Sequence, residues 1–319
     1  MKIILPLKKT ELHRQAEVLV RRYKGRDSIF DEVDGIYGRE SAGYHGEKQL
    51  DYYLQLSDLK DSYSLAGLRM KGEEYHFQID RLLLTPSICF LIESKNLKGK
   101  LHLNEQGQLI QDTSEKEIVY DNPYTQVKLQ EKQLKQVLKQ LGYSTLSIHP
   151  LVVFTNRNAI LDLGGSPDLI TAQQLTLRID HLLKNRESTF TASQIKKLAS
   201  QLLKKHTLRK VNLIERLKIS LAAIQTGVFC SHCAVGIMER VYATWVCHTC
   251  NRADRRAHIE ALVDYATLFG PLITNKTARY FLGVDSHDTV YRLLTKLELP
   301  TSGNGKATQY NLEKIIKSD

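Results

Sequence analysis

The chain has 319 residues, of which 42% are hydrophobic and 25% are charged. This length suits two or three domains, and a formal net charge of +10 with a pI near 9.2 is typical of proteins that bind nucleic acids. No apolar run approaches the length of a membrane span and no signal-peptide pattern opens the chain. The sequence therefore indicates a cytoplasmic protein without a membrane partner.

The first predicted elements are two helices. Glu11 to Tyr23 has a helical pattern within an N-terminal segment that ends near residue 35. Gly46-Glu47 opens a second predicted helix, which runs to about Leu56. The helix dipole favours a glutamate in the first turn, so Glu47 also has an ordinary structural explanation.

Two strands with ionisable residues follow. Tyr75 to Leu84 begins with alternating apolar and polar residues, and Ile88 to Lys95 returns after a turn. Residues two apart on a strand share a face, so Glu93 and Lys95 point the same way and a hairpin brings Asp80 beside them. Two carboxylates and an ammonium can hold a divalent metal and position a water to cut a phosphodiester. The alternative is a salt-bridged face exposed to solvent.

The next elements complete an α/β unit. Asn122-Pro123 begins a helix, since proline is favoured just inside a helix start. Leu129 to Leu141 continues it as an amphipathic helix, Leu151 to Phe154 is a buried strand, and Asp168 to Thr171 is a shorter strand. We expect this unit to end near Leu183.

This arrangement resembles the nuclease-related domain family, often called NERD, a branch of the PD-(D/E)XK nuclease superfamily. The resemblance covers roughly residues 40 to 180, and the order and spacing of its pieces are more specific than any single piece. The matching pieces are Gly46-Glu47, Gln78-Ile79-Asp80, Ile92-Glu93-Ser94-Lys95-Asn96, Asn122-Pro123 with Gln126, and Leu151 to Thr155. The resemblance implies an α/β fold with a mixed sheet of PD-(D/E)XK type flanked by helices.

The resemblance also implies roles for five residues. Asp80 and Glu93 look like the carboxylates that bind Mg²⁺ or Mn²⁺, which agrees with the preference of Mg²⁺ for oxygen ligands. Lys95 looks like the group that orients or activates the attacking water. Glu47 looks like the helix glutamate that completes the acidic site, and Gln126 looks like the helix residue that lines it. An exposed polar residue on a helix is the alternative for Gln126.

Four cysteines form the second motif. Cys230 and Cys233 make one Cys-x2-Cys pair, Cys247 and Cys250 make another, and thirteen residues separate the pairs. Four thiolates at this spacing predict a closed, structural zinc site, with Val235 to Val246 as a short β hairpin. Disulfides are the competing interpretation, and they do not fit a chain without a secretory signal. The remaining cysteine, Cys89, is expected to be a small apolar residue of the core.

His232 and His248 lie inside the cysteine pairs, and either could replace a cysteine as ligand. A ribbon of this kind binds nucleic acid or a protein partner. Its sequence is basic, with arginines at Arg240, Arg252, Arg255 and Arg256.

A basic segment precedes the cysteines. Thr191 to Thr226 has leucine and isoleucine at helical spacing and carries most of its charge on lysine and arginine. It is either a phosphate track, which would make binding sensitive to salt, or a solvated helix face. Its basic residues are Lys196, Lys197, Lys204, Lys205, Arg209, Lys210, Arg216 and Lys218.

The C-terminal tail resembles a helix-turn-helix. Thr277 to Ser286 leads into a helix from His287 to Leu297, whose apolar residues follow helical spacing, and Gly303 to Leu312 resembles the wing hairpin of winged-helix domains. In a helix-turn-helix the second helix enters the major groove of DNA. A small helical domain that binds proteins is the alternative. The predicted DNA-binding residues are His287, Tyr291, Arg292, Lys296 and Lys306.

The sequence thus predicts five parts and one main function. The parts are an N-terminal helical segment (1–35), a nuclease-like domain (36–185), a basic helical linker (186–227), a zinc ribbon (228–256) and a winged-helix-like domain (257–319). We expect a metal-dependent nuclease that hydrolyses DNA, and by analogy such a layout suits restriction of foreign DNA or DNA repair. The alternatives are a non-catalytic DNA-binding regulator and an RNA nuclease. The sequence leaves open a homodimer and a partner helicase.

Overall fold

The computed structural model describes residues 1–113, 116–184, 186–234 and 236–316, and it mixes helices with strands throughout. The helices are α1 (Glu11–Arg22), α2 (Ser28–Gln55), α3 (Pro123–Gln140), α4 (Leu175–Leu183), α5 (Ala192–Lys205), α6 (Leu213–Arg216), α7 (His258–Phe269), α8 (Asn275–Leu282), α9 (His287–Lys296) and α10 (Glu313–Ile316).

Within these described ranges the strands form four sheets. They are β1 (Lys2–Leu5), β2 (Tyr63–Lys71), β3 (His76–Leu84), β4 (Ile88–Lys95), β5 (Gly99–Leu103), β6 (Leu109–Asp112), β7 (Glu117–Tyr120), β8 (Ser147–Phe154), β9 (Ala159–Asp162), β10 (Leu169–Thr171), β11 (Val228–Phe229), β12 (Ile237–Val241), β13 (Thr244–Val246), β14 (Ala253–Asp254), β15 (Leu272–Thr274), β16 (Thr301–Ser302) and β17 (Gln309–Asn311). Within the described ranges, no helix is both long enough and apolar enough to cross a bilayer.

The chain folds into two compact units, and each is made from two separate stretches. The first unit contains Met1–Lys9 and Arg39–Arg209, and the second contains Thr10–Gly38 and the chain from Lys210 onward. The five-part division predicted from the sequence cuts the chain at other points and stays a prediction. Its boundary at residue 185 lies outside the described residues.

The first unit is organised around a mixed six-stranded sheet with the order β1-β2-β3-β4-β8-β10. The strands β2, β3 and β4 are antiparallel neighbours, as expected of the predicted hairpin, whereas β4, β8 and β10 run parallel. The central strand β4 is buried for most of its length. The α/β class predicted from the sequence is therefore confirmed.

The two faces of this sheet pack into separate hydrophobic clusters. Ile88, Phe90 and Ile92 of β4 join the cluster that contains apolar residues of α2 and α4. Cys89 and Leu91 join the other cluster, which contains apolar residues of α3 and α5. The apolar side chains of β4 thus alternate between the two faces, as the predicted strand requires, and Cys89 is a buried core residue as expected.

Helix α5 belongs to this core, although the sequence assigned it to a linker. Its apolar residues, among them Ile195, Leu198 and Leu202, are fully buried in the cluster that contains α3. Its lysines are exposed, since a helix that packs on a sheet turns its charged face to solvent. A second sheet, with the order β7-β6-β5-β9, adds Leu101 and Leu109 to the same cluster.

Where the structure describes it, the second unit contains two further small sheets. The strands β11 to β14 form a four-stranded antiparallel sheet in chain order. It includes the predicted hairpin as β12 and β13, and Val235, at the start of that prediction, lies outside the described residues. The strands β15, β17 and β16 form an antiparallel sheet. In the sequence, β15 follows α7, and α8 and α9 lie between β15 and β16.

A buried ion pair ties α1 to α7 inside the second unit. Arg22 is almost fully buried, and its Nε lies 2.6 Å from Oδ2 of Asp264. Its Nη1 donates to the backbone carbonyls of Gln225 and Gly227 at 3.0 and 3.1 Å. Because a buried charge is costly without partners, these contacts explain how a helix rich in arginine packs inside the second unit.

We expect the buried His258 to make this unit sensitive to acid. Burial, and then the charge of Arg240, lowers the pKa of His258 to about 4. The unfolded chain then binds a proton more readily than the folded chain. The contribution of this histidine to the free energy of unfolding is therefore fully present above about pH 6.5 and is lost as the pH drops toward 4.

The free energy of unfolding of the wild type should fall on acidification from pH 7 to pH 4. In the variant His258→Gln this fall should be smaller by roughly 3 kcal/mol, at about 1.4 kcal/mol per pKa unit. The free energy of unfolding in urea at both pH values measures this. The same pH dependence in wild type and variant would contradict the expectation.

Candidate active site

Strand β4 presents a buried carboxylate that is held on both oxygens. Glu93 is only 2% exposed, so the alternative of a solvated strand face is wrong for this residue. Lys95 Nζ donates to Glu93 Oε1 at 2.6 Å, and Gln130 Nε2 donates to Oε2 at 3.2 Å. Lys95 Nζ also donates to Oε1 of Gln126, at 3.0 Å. These bonds compensate the cost of burying the charge.

Asp80 joins this network from the neighbouring strand. The pairing of Arg81 with Ile92 is the last of the β3–β4 ladder, and continuing the register by one residue sets Asp80 opposite Glu93. Asp80 Oδ2 accepts the backbone N–H of Ser94 at 3.0 Å. Asp80 keeps some solvent exposure, yet protein surrounds most of it. Burial, and then the charge of Glu93, raises the pKa of Asp80 to about 7.

An irregularity in β3 lies at Asp80. Ile79 and Leu82 belong to the same hydrophobic cluster, although residues three apart on a regular strand face opposite sides. The break lies where β2 has Gly67, which adopts φ +59° and leaves a gap in the β2–β3 pairing. Such irregularities turn a side chain away from the regular pleat, and this one is next to the acidic group.

Glu47 comes to the site from the middle of α2. The prediction that Gly46-Glu47 opens a helix is wrong, because α2 begins at Ser28. The first-turn explanation for Glu47 is therefore wrong as well. Burial, and then the charge of Asp80, raises the pKa of Glu47 to about 8, since neighbouring carboxylates repel one another.

Gly46 explains why α2 can approach the sheet at this point. A Cβ at Gly46 would lie 2.7 Å from Oγ1 of Thr155 and 2.8 Å from Cβ of Asn96. Asn96 Nδ2 donates to the carbonyl of Ala42 at 2.7 Å, so the residues just beyond β4 are bonded to the same helix. The glycine thus permits the close packing that brings Glu47 toward the strands.

Sequence reasoning missed two residues of the site. Gln130 lies one turn beyond Gln126 on α3, and this spacing of four could have indicated that both face the same strand. Arg81 is fully buried, and its Nη2 lies 2.8 Å from Oδ1 of Asp51. Its positive charge lowers the pKa of Glu47 and of Asp80, against the larger upward effect of burial.

The donor set of this acidic group fits a hard divalent cation. After burial, the charge of Asp80 raises the pKa of Glu47 and the charge of Glu93 raises the pKa of both groups, so their negative charges lack full compensation. Carboxylate oxygens are the ligands that Mg²⁺ prefers, and one or two of them suffice when waters complete the shell. Glu93 itself is paired with Lys95, so a cation would bind beside an ammonium already in place.

The four cysteines of the second unit are positioned to bind a metal ion. Their Sγ atoms all lie within 4.8 Å of one another, and they are the one group of three or more such ligands among the residues that the structure describes. Burial raises the pKa of the Cys247 thiol. Hydrogen bonds from the backbone N–H groups of Cys250 and Thr249, together with those from the Cys233 and Cys250 side chains, outweigh this effect, and the pKa falls to about 6. A thiolate, the form that binds metal, is thus favoured at this position.

The two histidines next to these cysteines are not part of that group. His248 Nε2 lies 2.8 Å from Oε2 of Glu239, which gives this imidazole a partner outside the cysteine cluster. Gly236 is needed nearby, because a Cβ there would lie 2.5 Å from Sγ of Cys247.

The predicted DNA-binding residues of the tail are all exposed. The rings of His287 and Tyr291 stack on α9, with centroids 6.4 Å apart and an interplanar angle of 7°. The exposed set is His287, Tyr291, Arg292 and Lys296 on α9 and Lys306 between β16 and β17.

The substitution Gly46→Ala should destabilise the first unit by about 1 to 3 kcal/mol, because the added methyl meets Thr155 and Asn96 at less than van der Waals distance. Gly43→Ala in the same helix is the matched control, since nothing lies within 4 Å of its Cβ position. This control should stabilise the helix by about 1 kcal/mol. Urea unfolding measures both, and equal effects would contradict the packing argument.

Cys233→Ser should abolish tight binding of one metal ion per chain, because the remaining three thiols no longer form a closed tetrahedral set. Elemental analysis of the purified protein measures the ion, which we expect to be zinc. Cys89→Ala is the control, since Cys89 is buried in the core of the other unit. Equal metal content in wild type and Cys233→Ser would contradict the assignment.

Comparison with known proteins finds a family that part of the chain resembles. Residues 42–155 match the family model described as the nuclease-related domain, and this range includes Glu47, Asp80, Glu93, Lys95 and Gln126. No curated protein and no solved structure matches the chain. The match indicates a nuclease-related function with nucleic acid as the substrate. Residues 42–155 of this chain are therefore similar to the nuclease-related domain (NERD) family.

Proposed function

We propose that the chain is a metal-dependent nuclease that hydrolyses phosphodiester bonds of DNA, with a first unit of the PD-(D/E)XK type. The observation that carries this proposal is the network around Glu93, in which one lysine is bonded to the buried carboxylate and to a glutamine of α3. An acid from the next strand and an acid from α2 complete the group. A purely structural ion pair would not need these additional uncompensated acids.

Asp80 and Glu93 would hold Mg²⁺ or Mn²⁺, and Glu47 would complete the acidic site. When bound, the cation supplies Lewis-acid polarisation of the phosphoryl oxygens and stabilises the charge that develops on them. The raised pKa values of Asp80 and Glu47 mean that part of this group is protonated near neutral pH, so its capacity to hold a cation rises with pH.

Lys95 would orient the attacking water or neutralise charge on the phosphate. An ammonium has three donors, and Glu93 and Gln126 accept two of them. The third donor is available to a water or to a phosphate oxygen. Gln126 fixes the position of this ammonium, and Gln130 fixes the carboxylate that faces it.

The second unit would target the DNA. We propose that α7 to β17 form a winged helix, with α9 as the helix that enters the major groove and Lys306 in the wing. The order of α7, β15, α8, α9, β16 and β17 supports this, as does the exposure of the basic face of α9. The four cysteines would bind structural zinc, and the net charge of +10 favours association with phosphates.

A non-catalytic DNA-binding regulator is the alternative. One observation favours it: among the described residues, the acidic residues near Glu93 do not form a group as compact as the four cysteines. The Lys95 ammonium also occupies one oxygen of Glu93. In that case the first unit is a scaffold and the second unit carries the function.

We expect Glu93→Gln and Lys95→Ala each to lower Mg²⁺- or Mn²⁺-dependent cleavage by a factor of about 100 or more, the usual contribution of an acid–base or water-positioning group. The assay uses linear, circular and single-stranded DNA and RNA, and reads binding and cleavage together. Lys100→Ala is the control, because this lysine is exposed on β5.

Three outcomes decide between the alternatives. Unchanged cleavage in both site variants removes these residues from a catalytic role. Retention of DNA without cutting under every metal supports the regulator. Cleavage of RNA with DNA spared identifies an RNA nuclease.

A further inference from the structure

The tip of the hairpin between β12 and β13 has an unusual residue for its conformation. The last pair of this ladder joins Val241 to Thr244, so only Tyr242 and Ala243 make the turn. Tyr242 adopts φ +52°, in the left-handed region. Two-residue hairpin turns take glycine or asparagine at such a position, because a bulky side chain is strained there.

Tyr242 obtains no packing in return for this strain. It is 100% exposed, so its ring contacts no other part of the chain appreciably. Glycine would adopt this turn conformation with less strain, and a polar side chain would be more soluble at this exposed position. An aromatic residue that is strained and fully exposed at a projecting tip is a candidate contact residue for a ligand.

The register of the sheet brings cationic side chains to the same end of the ribbon. Trp245 pairs with Asp254, the last residue of β14, so Arg255 and Arg256 follow directly after the end of the strand that is nearer the turn. Both arginines are exposed. The nearest acid, Asp254, accepts the backbone N–H of Arg256 at 2.7 Å.

Arg240 adds a third guanidinium close to the tip. It pairs with Trp245 across the hairpin, and its Cζ lies 5.3 Å from the centroid of a Trp245 ring. Its Nε and Nη1 are buried and have no hydrogen-bond partner among the residues that the structure describes. The positive charge of this guanidinium nevertheless favours an anion at this end of the sheet.

We propose that this tip, formed by Tyr242, Arg240, Arg255 and Arg256, binds single-stranded nucleic acid, with the Tyr242 ring stacked on an unpaired base and the arginines on flanking phosphates. This deepens the proposed function, since it rests on nucleic acid as the partner. A base inside a duplex is covered by its neighbours, whereas an unpaired base offers its face to a projecting ring. The tip thus selects strand ends, gaps or junctions.

The test removes the ring from the protein and the base from the ligand. Full-length protein with its cysteine-bound metal retained binds a labelled twelve-nucleotide oligo-dT, or the same backbone with abasic residues, in buffer without Mg²⁺ or Mn²⁺. Wild type should bind the dT strand about tenfold more tightly than the abasic strand, which is the size of one base–aromatic stack. Tyr242→Gly should lose this preference, and Tyr242→Phe should keep it.

Stability provides the second readout. Tyr242→Gly should unfold at a higher temperature than wild type because glycine relieves the turn, so weaker binding cannot be attributed to a damaged ribbon. Equal preference for the dT strand in wild type and Tyr242→Gly overturns the proposal, as does a wild type that binds duplex alone or a protein partner alone. Cleavage without the dT preference rejects the tip and leaves the nuclease proposal standing. The dT preference without cleavage supports the tip and rejects the nuclease.

Discussion

The first unit depends on a carboxylate buried in the middle of a sheet. Glu93 follows five apolar residues on β4, where an uncompensated charge would cost more than one domain can afford. Its partners come from the same strand and from α3. The packing of α3 on the sheet is therefore required to stabilise the buried charge. The acids of β3 and α2 then add a negative excess beside this pair.

Local patterns predicted the strands that carry this group. The alternation of β4 and the proline at the start of α3 report local geometry, and both were confirmed. The start of α2 was not predictable in the same way, because glycine is unfavourable inside helices and the glycines of α2 therefore indicated a helix boundary. Gly43 is exposed and tolerated, whereas Gly46 is required by a contact with residues fifty and more positions later. Sequence spacing contains no direct information on such a contact.

The same limit applies to Arg81 and to α5. Arg81 directly precedes the apolar residues at the end of β3, and its partner Asp51 lies on α2, so only the tertiary structure explains its burial. The helix α5 carries many lysines, and its sequence indicates a solvent-exposed linker. The apolar residues along one side of this helix are nevertheless fully buried. In contrast, the four cysteines were predictable because metal chemistry fixes their spacing directly.

The composition of the first unit has a consequence for dissecting the protein. Strand β1, from the very beginning of the chain, pairs in parallel with β2 and closes that side of the sheet, although residues 10–38 between β1 and the rest of the unit belong elsewhere. A fragment limited to the residues that match the family would lack both β1 and α5. It would present the unpaired backbone of β2 and a bare apolar surface, which are the two features that lead isolated sheets to aggregate.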